Sequence, residues 1–309
     1  MSRDAAAASP IGVIEESTLL APDFISSEAT SQVELQFKLD HLPSRLLKYY
    51  QLLDNKVDAD VERILAESKS QEELKAVFEP SLTDLRNLWE EIFDGCSTKV
   101  AKSIANHKEK LSISSMKENG LITVDLTYGA VEFKSLAWLF INYIPLNSDM
   151  KTFYDLGSGT GRGIFAAALL HDFTKLRGVE IIPGLHQCAR RQLTHYEHDI
   201  LPSLQANEQP NQITSLLSNI STLFSGASGD ENKQKQRNNS NPPSSANSAD
   251  ILSEVIGKGS YQDIIFECQD FRKIDWSDAD VVWANSTCFS AQLLKALAVP
   301  QNNSKKPPS

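Results

Sequence analysis

The chain has 309 residues, of which 41% are hydrophobic and 23% charged, and its formal net charge is −10. That is enough apolar material for one large domain or two small ones, yet no apolar run reaches the roughly 20 residues that a bilayer-crossing helix needs. The acid excess disfavours unassisted binding to nucleic acid, whose phosphate backbone is held by Lys and Arg displacing counterions, and it suits a basic partner better.

In chain order, Met1 to Asp4 followed by Ala5 to Ala8 lacks the charged region and apolar stretch of a signal peptide, so an intracellular protein is expected. Residues 1–30, rich in Ala, Ser, Thr and Glu, read as a disordered lead-in. A helical subdomain is expected over 31–118. Leu46, Leu47, Tyr50 and Leu53 share one helical face, Val57, Val61, Ile64 and Leu65 a second, and Leu82, Leu85, Leu88, Trp89, Ile92 and Phe93 a third. Ser70 with Glu73 makes a capping box, and Pro80-Ser81 marks a break before the next helix.

Residues 119–299 change period. Ile122, Val124 and Leu126 alternate as in a strand, Tyr128-Gly129 turns, and Phe133 to Tyr143 resumes a helix. Strand and helix then alternate: Thr152 to Leu156, Arg162 to Leu170, Leu176 to Glu180, and Gly184 to about His198. A polar tract over 222–250 reads as a disordered insert. Strands at Asp263 to Cys268 and Asp280 to Ala284 follow, then a helix from Ser290 to about Ala298 and a disordered tail over 300–309. The alternation predicts an α/β, Rossmann-like domain with a parallel sheet and ligand sites at the carboxyl ends of its strands.

The turn after the first strand of that series carries the chemistry. Three ligands compete for such a glycine-rich turn: a nucleoside triphosphate, a dinucleotide, or S-adenosylmethionine. No Gly-Lys-Ser or Gly-Lys-Thr ends it, and Arg162 stands where a dinucleotide fingerprint needs its third glycine. Asp155 at the strand end would repel a pyrophosphate but attract the ammonium group of S-adenosylmethionine. Gly157, Gly159 and Gly161 permit close backbone approach. Glu180 ends the next strand about 20 residues on, the spacing at which an acid accepts ribose hydroxyls. Asp270-Phe271, after the third strand, offers a phenyl face for adenine and a carboxylate or backbone partner for its amino group.

Tyr128-Gly129, Asp155-Leu156-Gly157-Ser158-Gly159, Gly178-Val179-Glu180, Asp270-Phe271 and Ala284-Asn285 resemble, in order, the motifs of the disruptor-of-telomeric-silencing (Dot-one-like) family. These are the non-SET histone-lysine methyltransferases, within class I. The likeness spans about Leu121 to Leu294. It implies that Tyr128 lies in a loop covering the cofactor, that Asp155, Glu180 and Phe271 bind it, and that Asn285 lines a channel admitting lysine; Asn285 and Tyr128 are then the candidate catalytic residues. It also implies a substrate such as histone H3 in nucleosomes and a nuclear rather than cytoplasmic location. The family's acid after Tyr-Gly is here Ala130, with Glu132 two positions on, and its long basic region is not evident. The last strands of a full methyltransferase sheet are expected to be missing, leaving a truncated and weakly active or inactive product. Another class I methyltransferase, acting on a different protein, RNA or a small molecule, and a non-catalytic partner-binding module stay open.

Other signals imply less. Cys96, Cys188, Cys268 and Cys288 lie far apart without a C-x-x-C pair, so neither a zinc site nor a disulfide framework is expected, and they read as buried small apolar residues. His195 and His198 lack a third ligand, His171 and His186 are lone histidines, and no metal is expected. Gly157-Ser158-Gly159 has the wrong spacing for a hydrolase elbow.

Overall fold

The computed structural model describes residues 39–68, 70–106, 128–206, 247–286 and 289–298. The expected strand at Ile122 to Leu126, the lead-in, most of the insert, Cys288 and the tail lie outside them. Four helices come first: α1 (Ser44–Asp54), α2 (Asp58–Glu67), α3 (Gln71–Ile92) and α4 (Thr98–Asn106). Ser70 caps α3, accepting the Glu73 N–H at 3.2 Å. The break expected at Pro80-Ser81 does not occur, and α3 runs through Pro80 for 22 residues. The apolar stripe explains this: Leu74, Phe78, Leu82, Leu85, Trp89 and Ile92 keep one buried face on both sides of the proline, and continuous burial outweighs one missing backbone donor.

The sheet follows α5 (Phe133–Asn142). Its strands are β1 (Thr152–Leu156), β2 (Lys175–Glu180), β3 (Asp263–Cys268) and β4 (Val281–Trp283), all parallel and ordered β3-β2-β1-β4. The chain therefore winds outward from β1 to β3, then returns to the other side of β1. That reversal is the switch point of a doubly wound, Rossmann-like α/β sheet, where a crevice opens above the carboxyl ends of β1 and β4.

Between β1 and β2 lies α6 (Arg162–Leu170), every residue of which is buried. The sequence Arg-Gly-Ile-Phe-Ala-Ala-Ala-Leu-Leu has no polar face because α6 has no solvent side: the sheet lies on one flank and α1, α3 and α5 on the others. One apolar core consequently runs from Leu46 and Phe78 in the first helices through Phe165 to Phe153 and Phe266 in the sheet.

Arg45 fixes the first helices to the sheet. Its guanidinium pairs with Asp172 at 2.7 Å and donates to the carbonyls of Ala168 and Ser260 and to Gln262 Oε1, each at 3.0 Å. Gln262 in turn donates to the carbonyls of Ala168, His171 and Phe173.

After β2, α7 (Pro183–His195) runs on past the expected end through a π turn, Tyr196–Ile200, into α8 (Leu201–Ala206). Residues 247–250, expected within the insert, are instead ordered. Asn247 caps α9 (Ser248–Leu252), and a second π turn, Ser253–Gly257, follows. Ile251, Val255 and Ile256 are buried, while Ser248 and Tyr49 both donate to Asp84 at 2.8 Å. The last helix is α10 (Ala291–Ala298). Cys96 and Cys188 are buried as expected, but Cys268, at the end of an edge strand, is exposed. No helix among the described residues is long and apolar enough to cross a membrane.

Candidate ligand-binding site

The glycine turn between β1 and α6 is left-handed at three points, with φ of 86° at Gly157, 58° at Gly159 and 87° at Gly161. Side chains bearing a Cβ avoid this region. Space is short as well: a Cβ on Gly159 would stand 2.7 Å from the ring of Tyr128. Tyr128 thus lies across the turn, with its hydroxyl 3.1 Å from Thr160 Oγ1.

The backbone donors of this turn face inward. The N–H groups of Gly157 and Ser158 both donate to the Val179 carbonyl, at 2.8 and 3.0 Å, and that of Gly161 to the Ser158 carbonyl at 2.8 Å. The Gly159 N–H donates to Glu180 Oε2 at 2.8 Å, and Glu180 Oε1 accepts from Ile182 at 2.7 Å. Glu180 is therefore a brace between the turn and the end of β2. Burial raises its pKa, against the pull of the N–H groups of Ile182, Gly159 and Ile181.

Asp155 has no such support. It is 3% exposed and has no hydrogen-bond partner among the described residues. Its carboxylate lies against the first turn of α6, where a Cβ on Gly163 would come within 2.5 Å of Oδ2. Burial, and after it the Glu180 carboxylate, push its pKa up to about 8. Two buried acids, and the Gly157, Ser158, Gly159 and Gly161 N–H groups already bonded within the protein, make a recess ill suited to a phosphate.

The remaining expected residues gather around this recess. Gly157, Glu180, Asp270, Phe271, Asn285 and Tyr128 line a cleft whose empty space, its open mouth included, is about 640 Å³. Asp155, Gly157, Gly159, Tyr128 and Asn285 line an adjoining recess. Gly161 borders neither; it packs under the turn, where a Cβ would stand 2.6 Å from Phe266. Asn285 Nδ2 donates to the Gly129 carbonyl at 3.1 Å, tying the end of β4 to the Tyr128-Gly129 segment. No family model matches this chain, and no curated protein matches it.

Asp270 differs from expectation in its partner. Its carboxylate caps the turn at Phe271–Lys273 and receives Arg272 through Nε and Nη2 at 2.6–3.1 Å. Burial raises its pKa, but the bonds and charge of Arg272 prevail and hold it low. With these lone pairs taken, contact with a ligand at this position falls to Phe271 and the backbone.

Phe289 was not anticipated. Its ring stacks on Phe271, with centroids 5.9 Å apart and planes 23° from parallel, and it reaches within 3.2 Å of where a Cβ on Gly157 would be. Its signal was an aromatic four residues past Asn285 in a polar loop. Ile181, Ile182 and Leu185 complete the apolar wall; an apolar pair directly after the acid that ends β2 was the legible clue. Of the histidines, His186 contacts the Phe266 carbonyl and His195 pairs with Asp199. No metal-ligating cluster occurs among the described residues.

Proposed function

We propose that this chain is an S-adenosylmethionine-dependent methyltransferase of the class I, Rossmann-like kind, with a lysine of a basic protein, such as a histone, as acceptor. The observation that carries the reading is the inward-facing glycine turn with the unpartnered, buried Asp155 beside it. A nucleotide phosphate needs free N–H groups and positive charge, whereas this recess offers the Asp155 carboxyl, which gives up its proton when an ammonium group binds beside it. The residues present fit the cofactor. Asp155 would take its amino group. Glu180 would accept ribose hydroxyls with the lone pairs that its two backbone bonds leave over, and Phe271 with Phe289 would supply apolar faces for adenine.

When bound, the cofactor supplies a methyl group on a sulfonium centre. The chain's own task is positioning, since an in-line displacement gains most from alignment and from exclusion of water. Tyr128 closes over the glycine turn, and Asn285 holds the Tyr128-Gly129 segment to β4. An acceptor lysine, with an unperturbed pKa near 10.4, must arrive neutral, and an apolar entry favours that by desolvation. The histone assignment rests on the motif resemblance and on the acidic chain.

Calorimetry with S-adenosylmethionine, and with ATP and NADH as controls, tests the ligand. Binding of the first alone is expected; binding of either control in its place would reject the reading. Labelled cofactor with nucleosomes then tests the acceptor. Transfer to RNA or small molecules but not to histone would leave a methyltransferase of another substrate class.

A further inference from the structure

Arg162 is a buried cation without an anion. It opens α6 directly behind the glycine turn and is 7% exposed. Among the described residues it pairs with no carboxylate, and its one hydrogen bond runs from Nη2 to the Cys96 carbonyl at a long 3.5 Å. Its buried Nε has no partner. Two rings hold the guanidinium instead: its central carbon lies 4.6 Å from the ring centroid of Trp89, in α3, and 4.4 Å from that of Phe93, just beyond. The Trp89 indole is itself fixed, donating through Nε1 to the Arg162 carbonyl at 3.0 Å. Aromatic faces stabilise a cation while leaving its N–H groups without acceptors.

The residue borders the recess in which Asp155 stands. Arg162, Asp155, Gly157, Gly159 and Asn285 line it together, and Asp155 lies against Gly163, the next residue of α6. A guanidinium buried without a carboxylate is unfavourable until an anion reaches it. A phosphate matches poorly, because Asp155 and Glu180 would repel it and the N–H groups of the turn are already bonded. An α-amino acid matches well: it brings a cation for the acid and, one carbon away, an anion for the guanidinium. We propose that Arg162 reads the carboxylate of the ligand's α-amino-acid end while Asp155 takes its ammonium group, so that the recess selects a zwitterion. The assignment rests on the cofactor proposed above, whose methionine end carries both groups.

The aromatic grip then has a purpose beyond packing. A guanidinium paired with a resident carboxylate has its planar fork occupied, whereas one held by ring faces keeps that fork for the carboxylate of a ligand. The sign of the resulting preference is diagnostic. Removing the carboxylate from S-adenosylmethionine leaves a more positive molecule, which two acids alone would hold at least as tightly as the intact one. A preference for the intact cofactor therefore requires a donor at the carboxylate end, and substitution of Arg162 shows whether this side chain is that donor.

Calorimetry on the full chain compares S-adenosylmethionine with decarboxylated S-adenosylmethionine, for the parent, Arg162→Gln and Arg162→Lys, each checked for a cooperative melt. The parent is expected to bind the intact cofactor roughly tenfold more tightly or better. Arg162→Gln should lose that preference while holding the decarboxylated ligand within about threefold of the parent, and Arg162→Lys should keep part of it. A second readout needs no variant: the NMR signal of the Arg162 Nε–H group, identified by its contacts with the Trp89 ring, should move with the intact cofactor and far less with the decarboxylated one. A parent that binds both ligands equally, a folded Arg162→Gln that keeps the full preference, or equal movement of the Arg162 signal with both ligands overturns the assignment and leaves the proposed function standing. A parent that binds neither ligand rejects the proposed function and this assignment with it.

Discussion

Asp155 is a carboxyl whose folded pKa, about 8, stands well above its unfolded value. Between those two values the folded chain holds a proton that the unfolded chain has lost. Stability from this group is thus complete below about pH 4 and is lost as pH rises toward 8. Asp155→Asn removes that loss, so it should stabilise the ligand-free protein at pH 8, by on the order of 2–4 kcal/mol, while abolishing S-adenosylmethionine binding. Denaturant melts at pH 5 and pH 8 check it: a variant no more stable than the parent at pH 8 would contradict the buried, unpartnered state. Asn285 gives a second residue-scale expectation. Its amide donates to the Gly129 carbonyl at 3.1 Å in a half-exposed setting, so Asn285→Ala should cost about 1 kcal/mol of stability or less. Methyl transfer should fall at least tenfold while cofactor affinity stays within about threefold, because the Tyr128 segment loses its tether to β4. Parallel losses in affinity and melting temperature would make Asn285 a purely structural residue.

Among the elements, α3 carries the clearest test. Pro80 is exposed and lies inside the helix, where it removes one backbone donor; Pro80→Ala restores that bond and should stabilise by about 1–3 kcal/mol. A rise of several degrees in melting temperature is expected, and a fall would mean that the fold depends on the proline. The same position shows what sequence made legible. Strands β1 and β3 and helix α6 have the bounds read from pattern, because glycines and charges punctuate them sharply. The Pro80 break was misread because local chemistry was weighed without the stripe that buries Phe78 and Leu82 together. Helix α9 was missed because it adjoins a polar tract and gains its partners from far away in the chain: Ser248 bonds Asp84, and Ile251 joins the core that holds Tyr49. At the site, Asp155 and Glu180 were legible as acids at strand ends. The Glu180 brace, the Asp270–Arg272 pair and the Phe271–Phe289 stack were not, since each depends on side-chain direction rather than spacing.

At the scale of the whole molecule, the first helices and the sheet share one core, and the Arg45 cluster joins them through α6 and the segment before β3. Removing a buried cation strands its carboxylate partner and several carbonyls. Arg45→Ala should therefore cost about 3–5 kcal/mol, measured as a single cooperative denaturant transition at lower midpoint. Two separate transitions in the parent protein would show instead that the helices fold as an independent unit. The cluster also sets a schedule for biosynthesis. Arg45 and its partner Gln262 are 217 residues apart in the chain, and at the usual 5–20 residues per second a ribosome needs roughly 10–40 s to pass from one to the other. For most of that interval α1 and α3 are already made while β3, which completes the sheet they share a core with, is not, so part of their apolar surface stays uncovered during synthesis.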